Sequence, residues 1–173
     1  MNKYSKISLL GFWILAVTVN TALADPVVVN ITGKVKASPC TVDTNSVSQS
    51  VDFGQQRSTD LKEAGTATPW QSFQVNLTNC PAGTRTATVT FAGPVSADDA
   101  TLYANTGEAR NVAVQVAQNV NKGIIQGNGS TMSVDVDAQH KATYALAGRL
   151  YSVNGNTTPG TFSSVVQMNF TYQ

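Results

Sequence analysis

Few residues in this chain could do chemistry. His140 is the only histidine, so no histidine cluster can hold a metal, and a Ser-His-Asp triad would have to be built on it. It stands in the polar run Asp137 to Lys141 with no nucleophile-elbow sequence beside it, which reads as a solvated loop. Asp98-Asp99 reads as a turn, and Asp135 with Asp137, two residues apart, as the solvent face of a strand. Neither pair sits in an EF-hand or repeat calcium motif. Five Asn-x-Ser/Thr triplets, at Asn30, Asn76, Asn128, Asn156 and Asn169, are expected by chance where Asn and Thr are this abundant. The residues assign no catalytic group, cofactor or metal, and the chain is not expected to be an enzyme.

What remains is the pair Cys40 and Cys80, whose meaning depends on compartment. Lys3 and Lys6 precede an uncharged run from Ile7 to Val19, and Ala22-Leu23-Ala24 offers a small-x-small cleavage site. The run is too short for a comfortable membrane span, so residues 1–24 read as a signal peptide. In an exported protein an isolated cysteine pair is most simply a disulfide, since no CxxC redox motif is present and no histidine lies near enough for a zinc site. Without Lys3 and Lys6, nine basic residues face ten acidic ones. The absence of a basic stripe argues against nucleic acid or anionic lipid as a partner.

The elements around these residues read as strands. Alternating apolar positions are found at Val47, Val51 and Phe53 within Ser46 to Phe53, and at Phe73, Val75 and Leu77 before Cys80. They recur at Ala87, Val89 and Phe91, at Val112, Val114 and Val116, at Met132, Val134 and Val136, and at Ala142, Tyr144 and Leu146. Gly, Asn and Pro clusters separate these runs, as in an all-β sandwich. Ser58 to Ala67 reads as a helical turn or loop.

Both ends of the exported chain carry the same pattern. In Gly160 to Gln173 the residues Phe162, Ser164, Val166, Met168, Phe170 and Tyr172 share one face, and all but Ser164 are apolar. Between Asp25 and Pro39, Val27, Val29, Ile31, Gly33 and Val35 are spaced by two. Pattern alone allows these to be the first and last strands of one ordinary sandwich.

The signal peptide, the alternating N-terminal segment with its internal glycine, the cysteine pair, and the segment Phe73 to Cys80 (FQVNLTNC) together resemble the type 1 pilin family of chaperone–usher fimbrial subunits. Gly160, fourteenth from the end, and the penultimate Tyr172 resemble the frame of that family's last strand. The resemblance covers the whole chain. It implies an incomplete immunoglobulin-like (pilin) β-sandwich completed in trans by a donor strand. Residues 1–24 would then be the signal peptide, 25–39 the N-terminal donor-strand extension and 40–173 the pilin domain. Val27, Val29, Ile31, Gly33 and Val35 would be donor residues. Gly160, Phe162, Val166, Met168, Phe170 and Tyr172 would form the strand that borders the acceptor groove and binds the chaperone.

The implied partners are a periplasmic fimbrial chaperone, an outer-membrane usher and neighbouring fimbrial subunits, with a membrane met only through the usher. The implied destination is the cell surface, by way of the periplasm. The short extension before Cys40 suits a minor or adaptor subunit better than a major rod subunit. The alternative is a self-sufficient carbohydrate-binding β-sandwich that stacks sugar on surface aromatics such as Trp70, Tyr103 or Tyr151.

Overall fold

The computed structural model describes residues 27–35 and 38–173. The signal peptide read in residues 1–24 lies outside the described residues, as do Asp25, Pro26, Lys36 and Ala37. The chain divides into two units, Met1–Lys34 and Val35–Gln173. In the first, residues 27–34 form neither helix nor strand, and Val27, Val29 and Ile31 are exposed.

The regular elements of the second unit are almost all strands. In chain order these are β1 (Thr41–Val42), β2 (Thr66–Ala67), β3 (Gln71–Thr78), β4 (Thr86–Ala92), β5 (Tyr103–Ala104), β6 (Ala113–Gln118), β7 (Thr131–Asp135), β8 (Ala142–Ser152) and β9 (Gln167–Tyr172). A helical turn α1 (Thr44–Val47) and a 3-10 turn (Ser58–Leu61) interrupt them. One sheet runs β1-β3-β8-β6-β5, with β2 also paired to β8, and the other runs β7-β4-β9. Every ladder is antiparallel.

The core lies where the two sheets face each other. Val75 and Leu77 of β3, Val114 and Val116 of β6, and Tyr144 and Leu146 of β8 meet Ala87, Val89 and Phe91 of β4. These are the alternating positions of the sequence, because a period of two sends one face of each strand into the core. Cys40 and Cys80 are joined in a disulfide, with Cα atoms 4.1 Å apart. It sits where β1 meets the end of β3, beside the Thr41–Thr78 pair.

The strand expected at Ser46 to Phe53 is absent. Thr44–Val47 turns helically instead, with the Asp43 carboxylate accepting from the Asn45 N–H, and residues 48–57 form no ladder. The alternation survives in part, since Val51 and Phe53 are half-buried while Asp52 and Gly54 are exposed. An alternating segment becomes a strand only when another strand takes up its main-chain bonds. Ser58 to Ala67 holds the 3-10 turn and the short β2, in line with its ambiguous pattern.

Candidate functional site

The last segment of the chain keeps strict alternation but does two different things. From Gln167 to Tyr172 it is β9, paired with β4 from Ala92–Gln167 to Ala87–Tyr172. From Gly160 to Val166 it is tied instead to the loop before β6. Ala109 N–H donates to the Thr161 carbonyl at 3.0 Å, and Thr106 N–H to the Ser163 carbonyl at 2.8 Å. Ser163 N–H donates to Asn105 Oδ1 at 2.8 Å. The strand expected over Gly160 to Tyr172 is therefore laddered only in its second half. Gly160 opens the segment at φ +156°, where a Cβ would lie 2.5 Å from the Ala109 nitrogen. The close approach of that loop excludes any side chain here.

Phe162, Ser164, Val166, Met168, Phe170 and Tyr172 all point inward, and each is only half-buried, while the intervening residues are exposed. All but Ser164 pack against the buried core. Phe170 meets Tyr144 with ring centroids 5.5 Å apart. Half-burial along a whole inward face has a structural cause: β9 is the edge of its sheet, with β4 on one side and no strand on the other among the described residues. Beside that edge runs a groove in two adjoining parts, of about 950 Å³ and about 610 Å³. Phe73 and Val166 line both parts. Val114, Val116, Leu146 and Gly148 floor the larger part, and Met168 and Phe170 border the smaller.

The opposite lip is residues 49–57. Phe53 leans from it onto the floor, where a Cβ on Gly148 would lie 3.3 Å from its ring, and it meets Phe162 edge-on at 6.2 Å. The partnerless alternating segment and the half-buried strand thus face each other across one apolar trough. The trough offers apolar surface and, along β9, main-chain groups turned away from β4, which suits an extended peptide.

Burial dominates the electrostatics of this region. It raises the Tyr144 phenol, with Tyr172 adding to the rise, and it raises Tyr172 itself. Tyr103, whose hydroxyl donates to the Gln126 carbonyl at 2.9 Å, is pushed up to about 12. Among the described residues the hydroxyls of Tyr144 and Ser164 are buried without a partner.

The other sequence candidates lie elsewhere. His140 sits in the turn before β8 at φ 58°, exposed. Asp99 caps its own turn through the Thr101 N–H. Asp135 is on the exposed face of β7, but Asp137 lies beyond that strand and accepts from the Gln139 and Lys141 N–H groups. No three metal-ligating residues cluster among the described residues. Tyr103 is buried, whereas Trp70 and Tyr151 are brought together on the outer face of the larger sheet. Sequence reasoning paired neither of them with Arg149, which lies between them in the structure. Residues 49–57 as the second lip were also missed, although the Val51–Phe53 alternation was a signal for them.

Fold and groove define a two-sheet β-sandwich with an open edge beside its last strand. Residues 29–173 match the family described as "Fimbrial protein", and the chain belongs to that family. Protein FimG of Escherichia coli strain K12 is 36% identical over 159 residues, covering 92% of each chain. The S-fimbrial adhesin protein SfaS of Escherichia coli O6:K15:H31 is 32% identical, covering 88% of each. Among solved structures the fold is similar to that of the P pilus rod subunit PapA, with a TM-score of 0.65 at 23% identity, covering 79% of this chain and all of that one. The protein is a structural, non-enzymatic subunit of a cell-surface fimbria of chaperone–usher type, exported through the periplasm. That membership displaces the reading of a self-sufficient carbohydrate-binding module.

Proposed function

We propose that the groove beside β9 accepts an extended strand from outside the chain, first from a periplasmic chaperone and then from the N-terminal extension of a neighbouring subunit at the outer-membrane usher. The observation that carries this is the inward face from Phe162 to Tyr172, half-buried throughout beside an open sheet edge. A seated strand would bury those side chains and take up the free main-chain groups of β9, so main-chain bonds supply affinity and alternate side chains supply specificity. Residues 25–39 are the complementary donor. Val27, Val29, Ile31 and Val35 are between 74% and 103% exposed, so their apolar surface is free to enter another subunit's groove. Gly33 would enter the receiving groove at a point too shallow for a side chain. The short extension ahead of Cys40 favours a minor, adaptor position in the fimbria.

Co-expression with a fimbrial chaperone in the periplasm tests the groove. The full chain is expected to co-purify one-to-one, and a chain lacking Phe170 to Gln173 to be degraded without capture. Normal accumulation of that truncation would refute the reading.

A further inference from the structure

The outer face of the larger sheet carries a cluster that the groove does not use. Arg149 of β8 stands directly opposite Gln115 of β6, and its Nε donates to Gln115 Oε1 at 2.8 Å. The guanidinium carbon lies 4.3 Å from the centroid of the Trp70 ring and 5.4 Å from that of Tyr151. All four side chains are half-buried. A cation over an aromatic face is attracted to it, and a long side chain held by two rings and an amide has little freedom left to lose.

What the cluster lacks is an anion. Among the described residues the only side-chain hydrogen bond of Arg149 goes to a neutral amide. Its two terminal nitrogens are left as a planar pair of donors, the geometry that matches a carboxylate. Burial lowers the Arg149 pKa, with Tyr151 opposing, so the charge already bears a desolvation cost that a counter-charge would relieve.

The surroundings favour a protein over a small ligand. Small-molecule sites are concave, and neither part of the groove reaches this face. The outward neighbours Ala113, Ala117 and Ala147 are small and buried, so the larger side chains of the cluster form the surface over this part of the sheet. Trp, Tyr and Arg are the residue types most enriched where protein interfaces concentrate their energy.

We propose that this face docks a neighbouring fimbrial subunit through an Asp or Glu side chain, which the Arg149 guanidinium receives bidentately beside Trp70 and Tyr151. The contact rests on membership in a fibre and not on the groove. Its failure would leave strand exchange intact, and failure of the groove reading would leave this contact intact.

The test places a photo-activated cross-linking residue at Ser72, exposed on the same face of β3, in full-length subunits assembled into fimbriae. Mass spectrometry then identifies the product. A cross-link to a neighbour's acidic segment is expected, with its yield falling at least tenfold in Arg149→Ala and partly retained in Arg149→Lys, which keeps the charge but not the fork. Arg149→Glu should abolish it, and replacing the identified acid with Arg should restore it. Thermal unfolding of each variant checks that the fold is kept. No inter-subunit product, or one indifferent to Arg149, would overturn the proposal. Arg149-dependent binding of a hexuronate oligosaccharide by fimbriae that give no cross-link would overturn it too, in favour of a saccharide site.

Discussion

Phe170→Ala separates an open groove from a finished core. Phe170 points inward from β9, opposite Val89 of β4, with its ring 5.5 Å from that of Tyr144. Deleting a fully buried phenylalanine side chain costs roughly 3–5 kcal/mol. In the free chain Phe170 is half-buried, so the cost of unfolding stability there is about 2 kcal/mol. A strand seated in the groove completes the burial, and the same deletion then costs the full amount. The difference of about 1–3 kcal/mol appears as a loss of strand affinity of roughly 5- to 150-fold. Urea unfolding of the free subunit measures the first quantity, and titration of a chaperone measures the second. Val89→Ala is the control: Val89 is fully buried already, so it should lower stability and leave chaperone affinity near its starting value. If Phe170→Ala costs 3 kcal/mol or more in the free chain and leaves chaperone affinity unchanged, the core is complete without a donor and the groove reasoning fails.

Replacing Cys40 and Cys80 by serine opens a loop of sequence separation 40, and the chain-entropy account expects a loss of about 4 kcal/mol. Urea unfolding of the two forms under non-reducing conditions measures it, and a loss under 1 kcal/mol would contradict the account. Burial raises the phenols of Tyr144, Tyr103 (to about 12) and Tyr172, whereas in the unfolded chain they titrate near their ordinary value of about 10. The unfolded state therefore releases those protons first. Stability from these groups is complete below about pH 10 and falls as the pH rises toward 12; urea midpoints unchanged between pH 8 and 11.5 would refute the burial argument. Gly33→Leu should block incorporation into fimbriae, scored by immunoelectron microscopy, while leaving chaperone capture intact. Normal fimbriae would show that the extension is not the donor.

The sequence by itself determined whatever depends on local period and compartment. Six of its eight internal and terminal alternations became strands of the sandwich, because a side-chain period of two needs only neighbours to bury one face; Ser46 to Phe53 and Val27 to Val35 are the two that did not. The inward set of the last segment, Phe162 to Tyr172, was legible for the same reason. The cysteine pair was legible from its isolation in an exported chain. Tertiary structure decided what each alternating segment pairs with, since main-chain partners come from distant parts of the chain. Val51 and Phe53 alternate as β4 does, yet residues 48–57 form no ladder and serve as a groove lip instead. Gly160 to Val166 bonds to the loop before β6, while β9 bonds to β4. Trp70, Arg149 and Tyr151 meet only because β2 and the start of β3 both pair with β8. That contact spans 79 residues of chain between Trp70 and Arg149, and no local spacing could have announced it.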